Sequence, residues 1–200
     1  MFRELLEKKL HGIVTLRSDQ IGALEHHYGL LVRWNRILNL TSIHSEEQMV
    51  ERHYGESLFL ASHLPPTPLR IVDIGSGAGF PGIPVSIFRP DCTVTLIESH
   101  QRKTVFLREA TRQCRNVKVL AQRAEAVSEH FDLAISRAVG YQALFPALTK
   151  MADAADLLTG AEGPPTDSGL EWRPPILLPW GEQRYLRVGV SRETINLRFT

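Results

Sequence analysis

Thirteen residues, VDIGSGAGFPGIP at positions 72–84, contain four glycines and two prolines. An apolar run ends at Asp73, and three glycines follow at every second position: Gly75, Gly77 and Gly79. The two prolines suit the first turn of a helix, where backbone N–H groups have no intrahelical partner. A strand, a glycine turn and a helix N-terminus form a site in which a ligand lies against backbone N–H groups. A tight turn without a ligand is the alternative, but one glycine would be enough for it.

The residues around these glycines exclude two kinds of phosphate-binding loop. No GKS or GKT follows them, so the chain lacks a P-loop. The dinucleotide fingerprint requires a glycine three residues after Gly77, where this chain has Phe80. The spacing D-x-G-x-G-x-G instead resembles the first motif of S-adenosylmethionine-dependent methyltransferases. Asp73 and the loop would then hold the methionine end of the cofactor, with Phe80 as an apolar surface beside it.

Further candidates end the apolar runs that follow. Glu98 lies about twenty residues beyond the loop, where an acidic side chain accepts hydrogen bonds from ribose hydroxyls, although an exposed strand-end glutamate is the alternative. The Ala124 backbone and the Glu125 carboxylate could meet the edge of adenine, although Glu125 would equally suit a first helical turn. Arg137 follows the fourth run, at the edge where parallel sheets bind ligands. It is the candidate catalytic residue and also a candidate cofactor contact, with a surface salt bridge as the alternative.

Positive charge is concentrated between residues 101 and 123, where Glu109 is the only acid. The candidate RNA-binding residues in this segment are Arg102, Lys103, Arg108, Arg112, Arg115 and Arg123. Such an excess can follow a phosphate backbone. A helical wall could be added by Arg33, Arg36, Arg52 and His53. A solvated helix face is the alternative.

The elements that must position these residues divide into two groups. Residues 1–64 predict helices: one apolar face at helical spacing ends at Asn39, and a capping box at Ser45 opens a second helix that ends near His63. From residue 69 the chain alternates short apolar runs with amphipathic segments, which predicts an α/β fold with a mostly parallel sheet.

The C-terminal part predicts the edge of that sheet. Residues 156–158 suggest a fifth strand, and a Gly/Pro-rich loop follows from Thr159. The segments PILLPW and RYLRVGV predict an antiparallel hairpin. We therefore expect a helical extension over residues 1–64, packed on a ligand-binding domain over residues 65–200.

Composition narrows the class of protein. The 200 residues carry a formal net charge of only +1, so affinity for nucleic acid must come from a local patch. Two cysteines without a CxxC predict a reducing compartment, and the start of the chain does not resemble a signal peptide. No run of eighteen apolar residues suggests a membrane span, and the scattered histidines predict no metal site. We expect a cytoplasmic protein.

Seven segments taken together resemble one family. They run in order from Arg33 to Ala138: RWNRILNLTSI, ERHYGESL, VDIGSGAGFPGIPVSIFRP, TLIES, RKTVFLRE, QRAE and FDLAISRA. They are similar to the glucose-inhibited division protein B family, the bacterial small-subunit ribosomal RNA (guanine-N7) methyltransferases. The resemblance implies methyl transfer from S-adenosylmethionine to N7 of a guanine in 16S ribosomal RNA, and a Rossmann-like methyltransferase fold. By position it implies cofactor contacts at Gly75, Phe80, Ala124, Glu125 and Arg137, with Glu98 at the ribose.

The chain departs from that family near the fifth strand. Members usually have an L-K-G segment there, whereas this chain has Thr159 in place of the lysine, followed by a proline-rich shortcut. Residues 155–175 are therefore expected to lack a helix, and a substrate contact there is in doubt.

Other functions stay open at this stage. One is a methyltransferase of a small molecule or protein, another is a cofactor-binding module without activity, and a third is a nicotinamide-dependent oxidoreductase. The missing fingerprint glycine argues against the oxidoreductase. The expected partner is small-subunit ribosomal RNA, free or within an assembled or assembling subunit, and we expect a monomer.

Overall fold

The computed structural model describes residues 1–191, so the last nine residues of the predicted second domain lie outside the described part. The first part of the chain is helical: α1 Phe2–Leu10, α2 Ser18–Leu38, α3 Glu46–Met49, a π-helix Val50–Gly55 and α4 Glu56–Ser62. Asn39 ends α2 in the left-handed region with φ 47°, as predicted. The predicted second helix is confirmed in extent, but a π-helical segment interrupts it. Such segments are frequent at functional sites.

Among residues 1–191, eight strands form one sheet, in the order β3-β2-β1-β4-β5-β8-β6, with β7 also paired to β8. The strands are β1 Arg70–Ile74, β2 Thr93–Ile97, β3 Val117–Leu120, β4 Leu133–Arg137, β5 Ala154–Thr159, β6 Leu170–Trp172, β7 Ile176–Leu177 and β8 Tyr185–Ser191. The first five pair in parallel and β8 pairs antiparallel to β5. The predicted α/β fold with a mostly parallel sheet is confirmed.

The C-terminal hairpin is only partly as predicted. Two residues, Ile176 and Leu177, pair with β8, while the unpredicted strand β6 pairs with the other half of β8. As a result β8 lies inside the sheet, between β5 and these two short strands, and does not form its edge. No helix is present between β5 and β8, as the shortened sequence predicted.

Helices cover both faces of the sheet: α5 Gly82–Phe88, α6 Gln101–Ala110 and α7 Tyr141–Met151, with a short 3₁₀-helix at Ala124–Ala126. Successive strand residues point to opposite faces, so Ile71 belongs to one buried cluster and Val72 to the other. The first cluster also contains Leu24, Leu31 and Tyr54, so the N-terminal helices share a core with the sheet. Within residues 1–191, no helix is both long and apolar enough to cross a membrane.

Candidate active site

The glycine loop follows β1 at the carboxyl edge of the parallel strands, and its three alternating glycines have φ 74°, 57° and 88°. Two of them are also required by packing. A Cβ on Gly75 would lie 2.6 Å from a methyl group of Val139, and one on Gly79 would lie 2.4 Å from Ile83 Cδ1. A Cβ on Gly77 would meet nothing closer than 3.8 Å. Gly77 therefore presents bare backbone to open space, as a ligand cradle requires.

Asp73 supports this loop from beneath. Its side chain is fully buried, and Oδ2 accepts a hydrogen bond of 2.9 Å from the N–H of Gly82, at the start of α5. Oδ1 is buried and has no hydrogen-bond partner among the described residues. Burial raises the pKa of the Asp73 carboxyl to about 7. Asp73 thus holds the loop through Gly82, and its direct contact with the methionine ammonium stays a prediction.

Glu98 joins the end of β2 to the loop. Its Oε2 accepts from the N–H of Gly77 at 3.0 Å, and its Oε1 accepts from the N–H of His100 at 2.8 Å. The residue is only 8% exposed, so the alternative of a solvent-exposed glutamate is wrong. Glu98 lines a cavity of about 140 Å³ together with Ala124 and Glu125, so the structure brings the predicted ribose and adenine contacts together.

A larger cavity of about 450 Å³ lies on the other side of the loop. The loop contributes Gly77 and Phe80, the segment between α2 and α3 contributes Thr41, and β4 contributes Arg137. Gly75 and Val139 line both this cavity and the smaller one, so the two adjoin. We call the smaller one the Glu98 cavity and the larger one the Phe80 cavity.

Phe80 is held by an aromatic cluster that comes from the N-terminal helices. Its ring stacks on His53, with centroids 4.6 Å apart and planes 15° apart. The edges of Tyr54 and His27 approach it at centroid distances of 5.0 and 5.2 Å. The predicted apolar surface is thus present, and its position depends on residues outside the sheet.

His27 is a second support of the loop that the sequence did not reveal. Its Nδ1 accepts from the hydroxyl of Tyr54 at 2.9 Å, which leaves Nε2–H to donate to the carbonyl oxygen of Ala78 at 3.2 Å. Burial lowers the pKa of the His27 imidazole to about 4, so the ring is neutral. The only sequence signal is a histidine on the apolar side of α2, which is equally typical of a structural core residue.

Arg137 ends β4 inside a buried charge cluster. Its Nε lies 3.5 Å from Oε2 of Glu56, a carboxylate whose side chain is 1% exposed. The same oxygen accepts from Nη2 of Arg184 at 2.7 Å. Burial lowers the pKa of Arg137 to about 10, which still leaves it charged at neutral pH. The alternative of a surface salt bridge is therefore wrong.

His53, in the π-helix, contacts Arg137 directly. Nη1 of Arg137 donates to Nδ1 of His53, and Nε2 of His53 lies 2.8 Å from Oγ1 of Thr41. Burial, followed by the charge of Arg137, lowers the pKa of His53 to about 3. His53 was predicted only as part of a helical wall and Glu56 not at all, because their partners in the site are distant in sequence.

A third cavity, of about 460 Å³, lies between the ends of β4 and β5. Arg137 lines it together with Thr159 and Arg184, so Arg137 separates this cavity from the Phe80 cavity. The hydroxyl of Thr159 accepts from Nε of Arg187 at 3.0 Å. An arginine from β8 therefore reaches the position where family members usually have the lysine.

The six basic RNA-binding candidates do not form one group. Lys103 lines the Phe80 cavity, Arg123 lines the Glu98 cavity, and Arg102 precedes Lys103 in the first turn of α6. Arg108 lies in the last turn of α6. Within residues 1–191, none of the six makes an ion pair, and Glu109, the one acid of their segment, pairs with Arg33.

Two of these candidates lie at the end of the sheet where the parallel strands begin, opposite the cleft. Arg112 and Arg115 follow the end of α6, whose ten residues span about 15 Å. The neighbouring Asn116 donates to the carbonyl oxygen of Cys92, just before β2 begins. The basic segment is continuous in sequence, but α6 separates its residues in space. Only the two ends of the segment flank the cavities.

The described residues contain neither a metal cluster nor a thiol with a lowered pKa. No group of three His, Cys, Asp or Glu in the described part of the chain is arranged to hold a metal ion. Cys92 is buried and Cys114 half-buried, both as free thiols, and burial raises the pKa of each.

Comparison with known sequences gives consistent matches. The family model described as "GidB: rRNA small subunit methyltransferase G" matches residues 20–154. The ribosomal RNA small subunit methyltransferase G of Chromobacterium violaceum is 42% identical over 146 residues, which cover 70% of this chain and 69% of that protein. Its counterpart in Dichelobacter nodosus is 46% identical over 141 residues, which cover 68% and 66%. The match thus leaves about a third of each relative's length uncovered.

Comparison with solved structures concerns the fold. A SAM-dependent methyltransferase from Aquifex aeolicus aligns with a TM-score of 0.57 and 14% identity, over 72% of this chain and 93% of that one. The magnesium protoporphyrin IX methyltransferase of Synechocystis PCC 6803, solved with bound SAM, aligns with a TM-score of 0.58 and 14% identity, over 89% and 99%. The predicted Rossmann-like methyltransferase fold is confirmed.

Proposed function

Because the chain belongs to the rRNA small subunit methyltransferase G family, we propose that it transfers the methyl group of S-adenosylmethionine to N7 of a guanine in small-subunit ribosomal RNA. The observation that carries this proposal is the extent of the family match. Residues 20–154 include the glycine loop, the carboxylate of Glu98, the buried Arg137 and the helices that support them. The similarity therefore covers the loop, Glu98 and Arg137 together, while Thr159 and Arg184 of the third cavity lie beyond the matched residues.

The residues at the cleft fit S-adenosylmethionine. Gly77 offers bare backbone in open space, and Glu98 offers a nearly buried carboxylate to ribose hydroxyls. Ala124 and Glu125 would meet the adenine, and Phe80 supplies an apolar surface in the adjoining cavity. When bound, S-adenosylmethionine supplies an electrophilic methyl group on a positively charged sulfur.

The chain needs no general base for this reaction, because guanine N7 has a lone pair and carries no proton. The residues at the cleft agree with that requirement. Nδ1 of His53 already accepts from Arg137, and Nε2 has Thr41 as its partner. Glu56 is paired with two arginines. The catalytic contribution expected from the chain is to hold the reactants in alignment, which can supply up to about 7–11 kcal/mol.

Arg137 is the proposed catalytic residue of this cleft. It keeps its charge at neutral pH and lines both the Phe80 cavity and the third cavity. From this position its guanidinium could donate to O6 of the target guanine, to the cofactor or to both. Positive charge moves from sulfur to the purine during transfer, so a fixed cation at this position would also change the electrostatic energy of the transition state.

The proposed substrate partner is ribosomal RNA within an assembled or assembling small subunit, acted on by a monomer in the cytoplasm. Lys103 and Arg123 line the two cavities, Arg102 precedes Lys103 in α6, and none of the three has an ion-pair partner among the described residues. Cations at the mouth of a site can contact phosphates of the incoming RNA. Arg108, in the last turn of α6, and Arg112 and Arg115, beyond its end, would form a more distant part of the proposed contact.

The test is methyl transfer from labelled S-adenosylmethionine to small ribosomal subunits from a strain without this enzyme, with protein-free 16S RNA in parallel. We expect 7-methylguanosine as the labelled nucleoside. Subunits carrying 7-deazaguanine at the target should bind and accept no methyl group, since the attacking nitrogen is replaced by carbon. Methylation of that RNA, or label in another nucleoside, would refute the proposed reaction.

A further inference from the structure

Arg137 has two neighbours that could set its orientation. The ion pair to Glu56 joins atoms 3.5 Å apart, and Nε of Arg137 makes no hydrogen bond. Both oxygens of Glu56 accept instead from Arg184. The only side-chain hydrogen bond of Arg137 within residues 1–191 runs from Nη1 to Nδ1 of His53. Glu56 therefore balances the charge of Arg137, while His53 gives it direction.

That hydrogen bond requires one tautomer of His53. A guanidinium can only donate, so Nδ1 must be without a proton, and the proton of the neutral ring is on Nε2. Nε2–H then donates to Oγ1 of Thr41 at 2.8 Å. If Nδ1 carried the proton, two donors would face each other and the contact with Arg137 would be lost.

Thr41 is itself fixed by the segment around it. Its N–H donates to Oδ1 of Asn35 at 2.9 Å, and its Oγ1 accepts from the N–H of Ile43 at 3.1 Å. The His53 ring is also held against Phe80, with planes 15° apart. One imidazole therefore contacts three walls of the Phe80 cavity: the segment at Thr41, the glycine loop and the end of β4.

We propose that His53 is a positioning residue, whose Nε2–H tautomer is stabilised by the acceptor Oγ1 of Thr41 and holds the guanidinium of Arg137 between the Phe80 cavity and the third cavity. This inference rests on the proposed function, because the group positioned is the proposed catalytic arginine. Thr41 acts through two hydrogen bonds in series, so its hydroxyl affects Arg137 without touching it.

The experiment compares Thr41→Val with the control Thr41→Ser, which keeps the hydroxyl. Nitrogen NMR of the ¹⁵N-histidine-labelled protein identifies the tautomer, with the His53 signals assigned by their loss in His53→Phe. We expect one tautomer, Nε2–H, in the wild type and in Thr41→Ser, and a detectable Nδ1–H population in Thr41→Val. We also expect kcat for small-subunit methylation to fall at least tenfold in Thr41→Val alone, since a misplaced group costs orders of magnitude in rate.

Two further measurements separate positioning from other roles. The affinity for S-adenosylmethionine, measured by calorimetry, should stay within twofold in both Thr41 variants; a loss parallel to that of kcat would overturn the proposal and make Thr41 a cofactor contact. An unchanged kcat in Thr41→Val would overturn it as well. If Thr41→Val does not fold, His53→Phe, which keeps a ring over Phe80 and has no acceptor, must show the same loss of kcat. A wild type without methyl transfer would refute the proposed function, while the NMR result would still test the tautomer.

Discussion

Replacement of Glu98 by alanine is the most informative single change, because the structure gives this carboxylate two separate tasks. In the protein alone it accepts from the N–H groups of Gly77 and His100. In the complex it is proposed to accept from both ribose hydroxyls. The variant should therefore lose stability without a ligand and lose affinity with one.

The expected loss of stability follows from the two donors that are left without an acceptor. Each stranded N–H costs about 1–3 kcal/mol, and water can replace part of this at the cavity, so we expect about 2–4 kcal/mol in total. For a chain of this size the melting temperature then falls by about 5–15 °C. Thermal unfolding measured by circular dichroism checks this value.

The ribose contact is isolated by a thermodynamic cycle. Affinity is measured by calorimetry for S-adenosylmethionine and for an analogue without the two ribose hydroxyls, in the wild type and in Glu98→Ala. Two charge-assisted hydrogen bonds predict a loss of at least tenfold when the carboxylate is removed. In the variant, the two ligands should bind with nearly equal affinity.

A matched control and a clear refutation are available. Glu125→Ala removes another carboxylate from the same cavity and should leave the discrimination between the two ligands intact. If the analogue is weakened by the same factor in the wild type and in Glu98→Ala, the carboxylate does not contact the ribose, and Glu98 serves only to brace the loop.

Two other predictions concern charge. Replacing Arg102 and Lys103 together by glutamine should lower the salt dependence of RNA binding by about 1.4–1.8 log–log units, one phosphate contact for each cation. The same change at Arg112 and Arg115, beyond α6, should have a smaller effect; equal effects from the two pairs would contradict the importance of the cleft edge. Stability should fall as pH decreases from 6.5 toward 4, because the two buried histidines of the site have pKa values of about 4 and 3, so the unfolded chain binds more protons. Asp73 has the opposite effect on stability, because its pKa is about 7 in the folded chain and 3.8 when exposed, so the folded chain binds more protons at this carboxyl. Its contribution to stability is complete at low pH and is lost as pH rises. Near pH 5, two histidines against one carboxyl leave a slope of about 1 kcal/mol per pH unit in the free energy of unfolding, which Asp73→Asn should roughly double. The slope decreases toward pH 6.5, where the histidines of the unfolded chain are half titrated. Urea unfolding at pH values close to 5 measures the slope, and an unchanged slope in the variant would contradict the burial of the Asp73 carboxyl.

Much of the cleft could be predicted from local sequence patterns. Alternating glycines after an apolar run predict a loop with positive φ, because few other residues adopt that backbone conformation. The carboxyl ends of parallel strands meet at one edge, so Glu98 and Arg137 were expected to lie near the loop. The family resemblance added the reaction and the substrate, which spacing alone does not specify.

The supports of the cleft could not be predicted in this way. Arg137 and His53 are 84 positions apart, Arg184 and Glu56 are 128 apart, and each pair depends on how separate elements pack. A histidine on a helix has the same local pattern whether it braces a loop or fills a core. The π-helical segment that carries His53 has no sequence signal of its own.

By itself, then, the sequence determined the order of the elements, the glycine loop and the chemical types at the strand ends, because each depends on neighbours within a few positions. Only the tertiary structure decided which way those groups are turned and what holds them. It placed the Asp73 carboxyl beneath the loop, because full burial leaves it Gly82 as a partner. It also separated Arg112 and Arg115 from the cleft, because a helix carries the chain from one edge of the sheet to the other.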